Sequence, residues 1–406
     1  MRFETFIAQR LYFSQKGANR SSRPAVRVAL AGIIIGVAVM IVTVCVVVGF
    51  KQTVTEKVVG FAAHMRIVNF DNNNTFELQP IAVTDSLLNA LETLPHIEEA
   101  NIFATKPGII KTDDAFQGIV FKGTTYWDYF ASNLIDGALP ENENEILISH
   151  KLSTLLSVKT EQTLLCYFVG DQVRARKFHI SGIYRTGFGE FDERFILGQV
   201  NVVRRLNGWE ENQASGIELR VDNMRNLYEA SDYVFFATAN RFDEDGNAYY
   251  METLEQLNSQ IFSWLDLLDM NVIVIILLML AVSGFNIVSG LIILILDSIQ
   301  LIGTLKALGA SNKQVRRVFI TQGAMLIGKG MIWGNIIGLA LCAIEYWSHI
   351  VPLDAATYYV NYVPIAFPIG WLLLLNIGTI AVSVLILLAP SAIVTKISPA
   401  KVMHFE

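Results

Sequence analysis

Charge is what this chain has least of. Only 17% of its 406 residues are charged, against about a quarter in ordinary soluble domains, and its mean hydropathy is +0.42. With 52% hydrophobic residues, such a chain is neither a soluble globule, a collagen nor a disordered tail, and the deficit points to lipid. Cysteine is scarce too. Cys45, Cys166 and Cys342 show no CxxC spacing, which excludes a zinc ribbon and a CxxC redox pair. An oxidising compartment is tolerated, because Cys166 has no evident partner in its segment. No internal repeat or low-complexity segment is present. His64, His150 and His179 are scattered without ligand spacing, and Asp113-Asp114 and Asp243-Glu244-Asp245 read as turns and solvated loops. No Ser/His/Asp or Cys/His set can be drawn from the order of residues. The expectation is a chain with no metal, no catalytic site and no nucleic-acid partner.

Four long apolar runs are present: Val26 to Phe50, Leu267 to Leu296, Phe319 to Ile344, and Phe367 to Ala389. Each exceeds the roughly 20 residues that cross a hydrocarbon core of about 30 Å. Inside lipid the backbone must satisfy its own hydrogen bonds, so each is read as a helix. The first is too long for a cleaved signal peptide and lacks a convincing cleavage site. The second, at about 1.5 Å per residue, should project beyond the bilayer or tilt. Lysine and arginine set the orientation. They cluster at Arg2, Arg10, Lys16, Arg20 and Arg23, at Lys306, Lys313, Arg316 and Arg317, and at Lys396 and Lys401. Glu345 to Phe367 contains none. Both termini and the middle loop are therefore expected in the cytoplasm, with Lys51 to Asp266 outside.

The expected fold is an integral membrane α-helical protein of four transmembrane helices, with a large α+β extracytoplasmic domain inserted between helices 1 and 2. Its layout is an amphipathic entry segment (1–25), a first span (26–50), the external domain (51–266) and a second span (267–296). A cytoplasmic coupling helix (297–318), a third span (319–344), a short external loop (345–366), a fourth span (367–389) and a tail (390–406) follow. Within the external domain, His64 to Phe70 and Gly216 to Val221 read as strands, and Met224 to Ala237 as a helix. Thr84 to Ala100 reads as an amphipathic helix carrying Leu87, Leu88, Leu91 and Leu94. Ile109 to Lys122 suggests strand pairing around Asp113-Asp114. Thr163 to Val169 and Val173 to Tyr184 suggest a hairpin turning at Gly170-Asp171. From Tyr249 to Trp264 the spacing is helical and leads into the second span.

The connection from Asp297 to Arg317 is the most informative stretch. Ile299, Ile302, Leu305 and Leu308 fall on one helical face, Gly309 can end that helix, and Ser311 can cap the next. Such a helix suits a groove in a soluble partner, or equally the lipid interface. Gly323 to Gly330 nearly spells a phosphate-binding loop, but Gly330 stands where Ser or Thr must reach magnesium, within an apolar span. Gly330, Gly334 and Gly338, like Gly32 and Gly36, read better as small faces for close helix packing. Lys329, midway along its span, would either snorkel toward the cytoplasm or pair inside the bundle with a polar group such as Asn286.

The Ile302-Gly303-Thr304-Leu305-Lys306-Ala307-Leu308-Gly309-Ala310-Ser311 pattern resembles the coupling segment of FtsX/MacB-type ABC permeases. Other segments are similar to their lipoprotein-releasing (LolC/LolE) branch, in order. They are Glu4 to Arg10, Gly32 to Ala38, Val48 to Phe50, Gly60 to Ile67, Asp136-Gly137 with Glu145 to Ile148, Gly170 to Val173, Ser181 to Tyr184 with Gly187 and Asp192, Pro390, Ile397 to Ala400 and Glu406. The resemblance implies an FtsX-like permease domain over 267–406 and a MacB-like periplasmic core over 51–266. It implies a non-catalytic subunit of a bacterial inner membrane, with ATP and magnesium bound by a separate LolD-like ABC ATPase. The other implied partners are a second permease copy or paralogue, membrane lipid, an acylated lipoprotein and a periplasmic lipoprotein carrier. The short turn before Arg174 to Lys177 leaves little room for the extended hairpin of carrier-recruiting members. Ile302, Gly303, Leu305, Lys306, Ala307, Leu308, Gly309 and Ala310 would meet the ATPase. Val44, Val47, Val48, Phe50, Leu267, Met270 and Val274 would face lipid or lipoprotein chains. A MacB-like efflux or mechanotransmission permease and an FtsX-like regulator of peptidoglycan hydrolases are the alternatives.

Overall fold

The computed structural model describes residues 22–72, 77–112, 116–170 and 173–391. Residues 1–21, 73–76, 113–115, 171–172 and 392–406, which include most of the expected entry segment and tail and parts of the expected turns at Asp113-Asp114 and Gly170-Asp171, lie outside the described residues. The chain divides into a helical unit (residues up to Gln52, Leu265–Val351 and from Val363 onward) and a sheet unit (Thr53–Trp264 and Pro352–Tyr362).

Four helices are long and apolar enough to cross a membrane: Ser22–Ala62, Ser259–Asp297, Asn312–Ser348 and Ile369–Ser391. The first is the most buried of them. Its Ala29, Ile33, Val37, Met40 and Ile41 form the centre of the helical unit's core, with Ile287, Leu291, Phe319 and Leu326. Glycine makes the close approach possible. A Cβ on Gly330 would stand 2.5 Å from Ile33, one on Gly334 2.7 Å from Val37, and one on Gly338 3.1 Å from Ala38 and Ile41. Every fourth residue of the third helix is thus bare where the first helix crosses it. Gly32 and Gly36 receive Asn286 and Ser283 of the second helix in the same way.

The twelve strands of the described residues all belong to the sheet unit. They are β1 (Met65–Asn69), β2 (Ile81–Ala82), β3 (Ile97–Lys111), β4 (Phe116–Thr124), β5 (Leu134–Gly137), β6 (Glu145–Ser149), β7 (Thr163–Phe168), β8 (Arg174–Tyr184), β9 (Phe195–Gln199), β10 (Gln213–Ala214), β11 (Gly216–Val221) and β12 (Tyr249–Thr253). β2 and β10 pair alone, and the rest form one sheet in the order β12-β1-β11-β3-β4-β9-β6-β8-β5. β7 pairs with both β3 and β8. The path β3-β4-β9-β6-β8-β7 therefore closes into a ring around Phe121, Ile146, Ile148, Phe168, Phe178 and Ile196. Closure removes the free edges of these six strands, and β5 remains as an edge strand beside β8. Cys166 lies inside the ring, where burial pushes its thiol up to about 12.

Two sequence expectations are corrected. The helix expected over Thr84 to Ala100 spans only Asp85–Glu92, capped by Thr84 Oγ1 accepting from Leu87 N at 3.3 Å. Pro95 disfavours helix in the residue before it, His96 adopts φ 67°, and the chain re-emerges as β3 between β11 and β4. The helical reading from Tyr249 also fails. Tyr249–Thr253 is β12, paired with β1, and helix begins only after the Thr253 cap, with a break at Asn258 before the second long helix. β-Branched and aromatic side chains on an open sheet edge outweighed a helical period.

Candidate functional site

The coupling segment is a short helix, Ile299–Ala307, closed by a glycine turn. Gly309 has φ 92°, its N–H reaches Lys306 O at 3.1 Å, and Ala310 N reaches Leu305 O at 2.9 Å, a Schellman ending. Ser311 then opens the third long helix in a capping box with Gln314. The apolar stripe is split by this geometry. Ile302 and Gly303 are fully buried, Ile302 within the helical core, and Leu305 packs partly against it. This corrects the expectation that Ile302 and Gly303 face a partner: the stripe's inner half attaches the helix to its own bundle. Leu308 is 80% exposed, and Ala307 and Gly309 are exposed beside it, with Lys306 and Ala310 half-buried. The surface open to a partner is thus the turn itself.

The membrane-facing residues separate likewise. Val44 and Phe50 are buried, against expectation, because the first helix is enclosed by the others; Val47 and Val48 are half-buried. Leu267, Met270 and Val274 are exposed, and Leu277, Leu278 and Phe285 continue the stripe along the second helix. At its start, Asp269 accepts from Lys51 Nζ at 2.5 Å, with Asp266 at 3.6 Å. Gly323 to Gly330 lies inside the unbroken helix Asn312–Ser348, so its backbone N–H groups are spent on the helix and cannot cradle a phosphate.

Sequence reasoning missed how the first long helix ends in the sheet unit. Its last carbonyls need donors, and two strands supply cations. Arg220 of β11 donates to Val59 O at 3.3 Å and Gly60 O at 3.0 Å. Lys122 of β4 donates to Phe61 O at 2.7 Å and to the Glu218 carboxylate at 2.6 Å. Cations at a helix C-terminus also meet the negative end of its dipole. Lys122 and Glu218 are both buried; burial pulls the ammonium pKa down and Glu218 opposes this. Arg220 lies 3.5 Å from the centre of the Tyr126 ring, and Phe61 stacks on Phe191. His64, just beyond the helix, accepts from Val221 N at 3.1 Å. The only sequence signal was a lysine and an arginine within apolar strands.

The MacB-like periplasmic core domain matches residues 28–234, more than half of the chain, and the FtsX-like permease C-terminal domain matches 273–399. The chain is an ABC permease of the FtsX/MacB type. The permease is 24% identical to the lipoprotein-releasing system transmembrane protein LolC of Xylella fastidiosa (strain Temecula1), over 93% of each chain. LolC of Neisseria meningitidis serogroup B is 22% identical over 99% of each. The corresponding LolE of Haemophilus influenzae is 22% identical over 92% of each. A permease of this family is a multi-pass membrane protein that works with an ABC ATPase.

Proposed function

We propose that this permease is a subunit of a lipoprotein-releasing complex in a bacterial inner membrane. Its termini are cytoplasmic, and its sheet unit is a periplasmic insertion between the first and second spans. A separate LolD-like ATPase binds ATP and magnesium, and two permease chains, identical or paralogous, pair above it. ATPase closure presses on the exposed turn at Ala307, Leu308 and Gly309, and acylated lipoproteins leave the outer leaflet for a periplasmic carrier.

The observation that carries this reading is the exposed stripe from Leu267 to Phe285, in a chain that LolC relatives match over nearly its full length. Acyl chains need an apolar surface reached sideways from the bilayer, and Leu267, Met270 and Val274 supply one. The lysine and arginine distribution supports the orientation. A MacB-like efflux or mechanotransmission role fits the family equally and shares the same mechanics.

Photo-crosslinking side chains at Val47 and Met270 should capture lipoproteins in the resting complex, and ATP should reduce the capture. Depleting the permease should strand outer-membrane lipoproteins in the inner membrane. Correct lipoprotein sorting with chains of undivided cells would point instead to the division regulator.

A further inference from the structure

The chain passes between the two units at four places: after Gln52, after Trp264, after Val351 and after Tyr362. Within the sheet unit, residues close to all four passages meet at one point. Lys57, on the first long helix, donates from Nζ to Gly187 O at 3.2 Å and to Tyr359 O at 3.1 Å. The Tyr359 ring stacks on Phe188 with centroids 4.7 Å apart and planes 12° from parallel. Trp264, on the second long helix, meets the same ring edge-on at 6.0 Å.

Both sides of this junction are held in shape. The 352–362 segment joins the third and fourth helices and is closed on itself by the Pro352–Tyr362 bridge and by Leu353 N donating to Asn361 O at 2.9 Å. Tyr359 sits at φ 61°, a left-handed conformation a tyrosine keeps only when its surroundings impose it. Opposite, the Asp192 carboxylate accepts from Thr186 Oγ1 at 2.7 Å and from Gly187 N at 3.1 Å, fixing the turn that presents Gly187 and Phe188. Phe188 stacks in turn on Phe191, and Phe191 on Phe61 at the end of the first helix.

We propose that Lys57, Phe188 and Tyr359 are positioning residues that bind the four inter-unit connections into one piece, so that helix movement reaches the sheet unit as a single displacement. The inference rests on the transport reading only in taking ATP-driven helix movement as its input. Without the junction, the 352–362 segment is a tether, and the third and fourth helices shift without moving the sheet unit.

The test uses full-length permease with its ATPase in lipid nanodiscs, spin-labelled through Glu141→Cys in the sheet unit and Lys313→Cys in the helical unit. The native cysteines are buried and do not compete. Tyr359→Gly deletes the ring while accepting the positive φ, Lys57→Met keeps the stem and deletes the donor, and Tyr359→Phe keeps the stack. Wild type and Tyr359→Phe should show an ATP-dependent change in the label distance. Tyr359→Gly and Lys57→Met should lose at least about half of it while still hydrolysing ATP, the remainder being carried by the first and second helices, which run unbroken into the sheet unit. A wild-type distance change in Tyr359→Gly, or no change in wild type, overturns the proposal. If a variant does not assemble, hydrogen exchange of 352–362 in the purified permease decides: acceleration of about tenfold or more supports the junction, and an unchanged rate overturns it. A wild-type complex that shows the distance change yet fails to release lipoproteins would sink the release reading and leave the junction standing.

Discussion

The helical unit and the sheet unit bury their contacts by opposite means. In the helical unit, glycines at Gly330, Gly334 and Gly338 meet aliphatic side chains, so shape alone brings the first and third helices together. In the sheet unit, charge is buried: Lys122 with Glu218, and Arg220 on backbone carbonyls, with the half-buried pair Arg66 and Glu252 at 2.7 Å. The difference follows from what each has to satisfy. Helices in lipid carry no spare backbone donors or acceptors along their length, so fit and a few side-chain hydrogen bonds, such as Asn335 donating to Asn376 at 2.8 Å, decide packing. A helix ending on a sheet leaves bare carbonyls, and cations must answer them. Stability in the two units should therefore respond to different insults.

The largest effect expected concerns surroundings. Cysteines placed at Lys313 and Asp354 in whole cells should react oppositely with an impermeant reagent, Asp354→Cys labelling and Lys313→Cys staying silent. Equal labelling would dissolve the assignment of the two units to membrane and periplasm.

Removing one partner of the buried ion pair comes next. Lys122→Met leaves Glu218 charged and alone and uncaps Phe61 O, a loss of about 3–5 kcal/mol. Denaturant unfolding followed through the sheet unit's tryptophans should show it, with Lys122→Met/Glu218→Leu regaining part of the loss.

Acid should attack the sheet unit at His64. Burial first, and then the Arg220 charge, hold its imidazole down to about 4, with Asp222 pulling the other way. The unfolded chain binds a proton below about pH 6.5 that the folded chain refuses until about pH 4. The stability is therefore full above that range and falls as pH drops through it, by on the order of 3 kcal/mol. His64→Asn, titrated alongside wild type, should flatten that slope.

Shape sensitivity in the helical unit should be smaller but position-specific. Gly334→Val drives a Cβ to 2.7 Å from Val37, an overpacking defect of about 1–3 kcal/mol. Gly378→Ala, with nothing within 4 Å of the new Cβ, should be harmless. Equal melting temperatures for the two variants in detergent would contradict packing by glycine contacts.

Much of this molecule was decided by short-range rules that a sequence displays. Apolar length fixed the four membrane helices, and Gly309 with Ser311 fixed the turn between the second and third, because both depend on local backbone chemistry. The strands β1 and β11 lie within His64 to Phe70 and Gly216 to Val221, the segments expected as strands. Other features were set by distant partners. The Tyr249 segment became a strand because β1 offered it an edge, and β3 bridged two sheet neighbours and β7 to close a ring. Ile302 turned inward because Val315 and Phe319 lay beneath it in the same core. Lys122, Glu218 and Arg220 acquired meaning only when the end of the first helix arrived among them. Lys57 and Tyr359, separated by 302 residues, meet only in the folded chain. Periodicity reports which face a residue occupies, whereas burial and pairing depend on what the rest of the chain brings to that face.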